Sequence, residues 1–298
     1  MTSPPLFGLW LNAASADLVA WATAAEEHGY DLVAVMDDPY DVDLFEAYTA
    51  LTVALARTTR VLGYVGVTNL PLRPAPVLAR IVSTLSALCD GRVVLGLGAG
   101  GDLDRAAAFG GPILTPGQAV DALEEAIRLV HALTGGGIEP VRFTGRHYRV
   151  DGALPAAQPP PPVWTGAGGP RALRITGRLA DGWIPQYGDD WRSAAVREAR
   201  AVIDDAALRA GRDPAEVGTC YNISATLTSR DLARTRDEDG RWIGGSARQW
   251  VDELVTAVTD YDAGGFTTTI TDRSGQATLD LATRFAQDVI GPVRDATR

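Results

Sequence analysis

The sequence predicts an α/β fold, a (β/α)8 barrel with insertions forming a single domain over residues 1–298. Two observations predict it. Apolar runs of strand length alternate with helical patterns from one end to the other, as βα units around a parallel sheet require. The count is eight of each, and 298 residues with 46% apolar content can bury the core of one barrel.

In chain order, LFGLWLN (6–12) leads into a helical stretch at 15–30, LVAVMD (32–37) into 43–57, and VLGYVGVT (61–68) into 75–88. VVLGLGAG (93–100) precedes 115–133, VWTGA (163–167) precedes 170–180, and DGWIPQ (181–186) precedes 191–212. TCYNISATL (219–227) and FTTTITD (266–272) are followed by 246–262 and 278–296. Ser15, Thr115 ahead of Pro116, and Ser246 each offer a side-chain oxygen to the unpaired N–H groups of a helix start. Gly29, Gly135 and Gly264 stand where helices should stop. Two connections are longer than usual: 136–162 reads as a short hairpin with a proline spacer, and 228–245 as a charged surface insertion.

Composition narrows the function. A net charge of -10 repels nucleic-acid phosphates and anionic membranes, so neither is an expected partner. No apolar run reaches the ~20 residues that span a bilayer, and MTSPPLFGLW lacks a basic, apolar leader, which predicts a cytoplasmic protein. Cys89 and Cys220 read as buried thiols, and His28, His131 and His147 lack metal-ligand spacing, so no metal site is expected. Every basic residue is arginine, which excludes Schiff-base and pyridoxal phosphate chemistry because both need a lysine amine.

In such a barrel the active site lies at the C-terminal strand ends. The second strand ends in Asp37-Asp38, two carboxylates suited to hydrogen bonding or general base work. The third ends in Gly66-Val67-Thr68, where a glycine allows close backbone approach to a flat ligand. The fourth ends in Gly98-Ala99-Gly100, superficially a dinucleotide fingerprint, but it is not the first strand of a unit and no acidic residue closes a second strand ~20 residues on. The fifth ends in Gly166-Ala167-Gly168-Gly169 before Pro170-Arg171, which gathers free N–H groups, a helix N-terminus and a guanidinium as a phosphate or carboxylate site. Trp10 and Asn12, at the end of the first strand, are candidate walls of a substrate pocket.

The stretches GVTNLPLRPAPVLARIVSTLSALCDGRVVLGLGAG, FTGRHYRV, PPPPVWTGAGGPRALRITGRLADGWIP and YDAGGFTTTI, in this order, resemble the bacterial luciferase-like family of flavin- and deazaflavin-dependent oxidoreductases. The resemblance implies a TIM barrel that holds coenzyme F420 or FMN at its C-terminal face. It implies that Asp37 borders the cofactor, that a non-prolyl cis peptide at Gly66-Val67 backs the ring, and that Thr68, Gly98, Ala99 and Gly100 flank it. Gly166, Ala167, Gly168, Gly169 and Arg171 would hold the phosphate. GVTN and GLGAGG are closer to the deazaflavin-using, methylenetetrahydromethanopterin reductase-like branch than to the luciferases proper. This favours hydride transfer between F420 and a small organic substrate. The alternatives are an FMN monooxygenase fed by a partner reductase, or a barrel that binds the cofactor without turnover. Related barrels also imply a homodimer. One departure stands out: Asp38 and Gly101 occupy positions where similar dehydrogenases commonly carry a histidine and a glutamate, which leaves Asp38, Asp102 and Tyr40 as the nearby proton-transfer candidates.

Overall fold

The computed structural model describes residues 4–11, 17–186 and 190–298. The eight barrel strands are β1 (Leu6–Trp10), β2 (Leu32–Val35), β3 (Leu62–Val65), β4 (Val93–Gly98), β5 (Val163–Gly166), β6 (Gly182–Ile184), β7 (Gly218–Thr228) and β8 (Gly265–Thr271). Each pairs in parallel with the next, and β8 returns to β1, so the sheet closes into a TIM barrel. All six residues of β4 are buried, as expected where a parallel strand has side chains packed on one face and helices on the other.

The boundaries differ from the sequence reading near the site. β2 stops at Val35, so Met36, Asp37 and Asp38 lie on the loop beyond it. The chain leaves the β3 ladder at Gly66 and Val67, which are joined by a cis peptide bond, and Thr68–Asn69 then pairs with β4. Asn12 falls outside the described residues. The hairpin expected in the first long connection is present as Val141–Thr144 against Arg149–Ala153.

A small cluster of Leu32, Ala34, Tyr64, Val94 and Ile184, with Trp10, Val67 and Trp164 against it, lies apart from the main core between sheet and helices. Large aromatic rings fit because neighbouring strands carry no side chain: a Cβ on Gly182 would stand 2.4 Å from Trp164 Cδ1. The Tyr64 hydroxyl is bonded to Thr267 Oγ1 across the barrel at 2.7 Å. This packed floor places any ligand at the mouth above it.

The segment read as a charged surface insertion turns one arginine inward. Arg236 donates to Asp190 Oδ2 at 2.9 Å and also to Glu253 Oε1, both carboxylates being buried. Arg192 and the Trp191 indole complete the set on Glu253, and the segment ends in Gly244–Ser246, paired in parallel with β7. The C-terminal helix is also less regular than its periodicity implies. A π-helical turn, Ala286–Ile290, separates Leu279–Phe285 from Gly291–Ala296, at the point where Pro292 removes a backbone donor.

Both cysteines are buried and unpaired, and burial pushes the Cys220 thiol up to about 12. Burial also lowers His131 below its ordinary 6.5; Asp181 opposes this and Arg212 adds to it. The unfolded chain therefore takes up the His131 proton at a higher pH than the folded chain does. Stability is lost as pH falls through and below 6.5, down to the folded value. Chemical denaturation of His131→Asn should show a shallower decline over this interval than the parent, with a constant difference between the two curves above neutral pH.

Candidate functional site

Two adjoining cavities open at the C-terminal strand ends, of about 500 and 590 Å³, and both are lined by Val67, Gly166 and Gln186. The smaller is bounded by Gly98, Ala99 and Gly100 after β4, by Gly168, Gly169 and Arg171 after β5, and by Pro116 and Gly117. It is a cradle made by missing side chains: a Cβ on Gly98 would stand 2.7 Å from Val67 Cγ2, and one on Gly166 3.2 Å from the Val67 methyls. Gly100 has φ +110, a conformation open to glycine and strained for other residues.

Two helix starts meet at this cavity, Pro116–Thr134 and Pro170–Leu179. The first is closed by a reciprocal capping box between Thr115 and Gln118. The second starts at Gly169 with no side-chain cap, so its first N–H groups remain available to an anion. Arg171 reaches the same wall, but its guanidinium is engaged by Asp121 and the Gly117 carbonyl, which offsets part of the charge read from sequence. Pro116 and Gly117 were visible in the sequence only as a helix start.

The larger cavity is walled by Trp10, Met36, Leu44 and Ile184, with Asn222, Ser224 and Thr269 supplying polar groups from β7 and β8. Trp10 is where the sequence placed a pocket wall. Asn222 and Ser224 were not singled out, although the run Tyr221-Asn222-Ile223-Ser224-Ala225-Thr226-Leu227 alternates apolar and polar residues and the polar ones are the less buried, a signal that could have found them.

The adjacent carboxylates have separate environments. Asp37, its side chain 1% exposed, is held by both arms of Arg73, with Nε to Oδ2 at 2.7 Å and Nη2 to Oδ1 at 2.6 Å. Asp37 Oδ2 also accepts the Asn69 backbone N–H at 2.9 Å, so both oxygens are committed to fixing the loop after β3. Asp38 has Arg105 Nη1 at 3.7 Å from Oδ2, while its shielded Oδ1 has no partner. Beside it, Tyr40 accepts a hydrogen bond from the Asn69 amide and lies beneath the Arg105 guanidinium. Burial raises the Tyr40 hydroxyl above 10.0; the Asn69 bond opposes this, and Asp38, Asp102 and Asp37 add to it, so the phenol keeps its proton.

Several predicted residues stand behind the cavity walls rather than on them. Thr68 is fully buried with its hydroxyl bonded to Tyr48 at 2.7 Å, and Ala167 is buried with its carbonyl accepting the Trp183 indole at 2.8 Å. Asp37 and Asp38 line neither cavity. Asp37 is thereby removed as a free base: a carboxylate with both oxygens in a charged fork supports its neighbours instead.

A family model described as luciferase-like monooxygenase matches residues 3–282. The chain is 35% identical over 246 residues to an F420-dependent glucose-6-phosphate dehydrogenase of Nakamurella multipartita, covering 78% of this chain and 71% of that protein. It is 34% identical to an F420-dependent hydroxymycolic acid dehydrogenase of Mycobacterium tuberculosis, covering 78% of this chain and 65% of that protein. In three dimensions it resembles the coenzyme F420-dependent tetrahydromethanopterin reductase of Methanopyrus kandleri, with TM-score 0.80 at 17% identity over 97% and 99% of the two chains. Among the described residues, no helix is long and apolar enough to cross a membrane.

Proposed function

Because the chain belongs to the luciferase-like monooxygenase family, we propose that it is an oxidoreductase passing a hydride between coenzyme F420 and a small organic substrate. The observation that carries this reading is the pair of adjoining cavities, one glycine-lined beneath an uncapped helix start and one apolar, which share Val67 and Gly166. A phosphate-bearing cofactor with a flat ring fits that arrangement. The names of the relatives favour F420 over FMN.

Gly98, Gly100, Gly168, Gly169 and Arg171 would hold the cofactor's chain and phosphate, and Gly66-Val67 would back its ring. When bound, the deazaflavin supplies a two-electron hydride acceptor or donor. The protein's part is to orient the partners and exclude water, with Trp10, Met36 and Leu44 as the apolar wall. Of the two adjacent carboxylates, Asp38 is the one with an unpaired oxygen, but it lines neither cavity, so no proton transfer with the substrate is assigned to it.

The test is a titration with F420 and, separately, FMN, read by quenching of tryptophan fluorescence, since Trp10 lines the cavity. Saturable quenching by F420 alone is the expected result. Tight FMN binding without F420 binding would replace the reading with an FMN monooxygenase supplied by a reductase. Binding of F420 with no turnover on any substrate would leave a binding barrel.

A further inference from the structure

We infer that the larger cavity takes an uncharged, predominantly apolar substrate whose hydroxyl donates a hydrogen bond to Asn222 Oδ1, and that it rejects phosphorylated substrates. This rests on the reading above, in which the neighbouring glycine cavity holds the cofactor.

Three observations lead there. None of the residues lining the larger cavity is Arg, His, Asp or Glu. The three segments outside the described residues, 1–3 (MTS), 12–16 (NAASA) and 187–189 (YGD), contain no Arg or His either. The arginines traced above are committed elsewhere: Arg73 to Asp37 and Glu46, Arg236 to Asp190 and Glu253, and Arg171 to Asp121. A phosphate dianion entering the larger cavity would lose its hydration without meeting a cation.

The polar groups present are of a different kind. Asn222 Oδ1 is shielded from solvent and has no hydrogen-bond partner. An unpaired buried acceptor favours a ligand that brings a donor, and a hydroxyl at that point satisfies it. Ser224 and Thr269 sit opposite each other in the β7–β8 register, and Gln186 adds an amide from just beyond β6, the strand beside β7, so the polar groups come from adjoining strands. Trp10, Met36, Leu44 and Ile184 face the remainder of the ligand with hydrocarbon.

The experiment uses three probes on one carbon frame: 4-phenylcyclohexanol, its methyl ether, which lacks the donor, and its phosphate ester. Each is titrated by calorimetry into the protein with and without saturating F420. The alcohol should bind at least about tenfold more tightly than the ether, corresponding to about 1.4 kcal/mol, and the phosphate ester should bind weakest. Asn222→Leu, which keeps the side-chain volume, should erase the preference for alcohol over ether while leaving F420 affinity unchanged. A phosphate ester that binds as well as the alcohol, an alcohol no better than the ether, or no binding of the alcohol would each overturn the inference. So would loss of F420 affinity in Asn222→Leu, which would make Asn222 a cofactor contact. Failure of F420 to bind the parent protein is a separate result that sinks the function reading, and the probe series on the cofactor-free protein then decides this inference alone.

Discussion

Gly168→Asp should abolish binding of the proposed cofactor, F420, with a loss of at least about 1,000-fold in affinity. The new carboxylate enters the glycine cavity beside the uncapped start of Pro170–Leu179, where the cofactor's phosphate would sit. Like charges brought together in a closed site cost several kcal/mol. The fold should survive, because the atom that a new Cβ would meet first is Gln186 Nε2, at 2.1 Å, the far end of a flexible side chain. Gly168→Ala separates charge from bulk: it needs the same movement of Gln186 and adds no charge, so it should keep most of the affinity. Normal F420 binding by Gly168→Asp, with an unchanged melting temperature, would remove the glycine cavity from the cofactor site.

The second large effect lies behind the cavity wall. Arg73→Met should destabilise the protein by about 3–5 kcal/mol, the range for breaking a buried ion pair by removing one partner. Asp37, with 1% of its side chain exposed, would be left as an uncompensated carboxylate. Arg73 also reaches Glu46 at 2.6 Å and lies over the Tyr48 ring at 4.9 Å, so the methionine, which keeps the aliphatic contact, isolates the loss of charge. Asp37→Leu in the same chain should recover much of the stability, since no buried charge then remains. Urea denaturation of the two single variants and the double variant measures this coupling. Additive losses would show that Asp37 and Arg73 act independently.

The same pair shows why the sequence yields only part of the site. Asp37-Asp38 was legible as a pair of acids at a strand end, but its division of labour was not. Arg73 lies 36 residues further on, and only folding brings its guanidinium onto Asp37 and away from Asp38. Arg171 was legible as a cation at a helix start, whereas its partner Asp121 stands 50 residues earlier on another helix.

The sequence by itself determined the eightfold alternation, the closed parallel barrel, the capped starts at Thr115 and Ser246, and the glycine clusters at the ends of β4 and β5. These are local properties: periodicity, capping and missing side chains act within a few residues, so they are written in order along the chain. The tertiary structure alone decided which carboxylate keeps a free oxygen, which glycines face Val67, and that the larger cavity gathers Asn222, Ser224 and Thr269 without a charged neighbour among the described residues. Partner choice among side chains depends on distance through space. The alternation of Asn222 and Ser224 with apolar neighbours is written along the strand, but which cavity that polar face lines is set by the closure of the barrel.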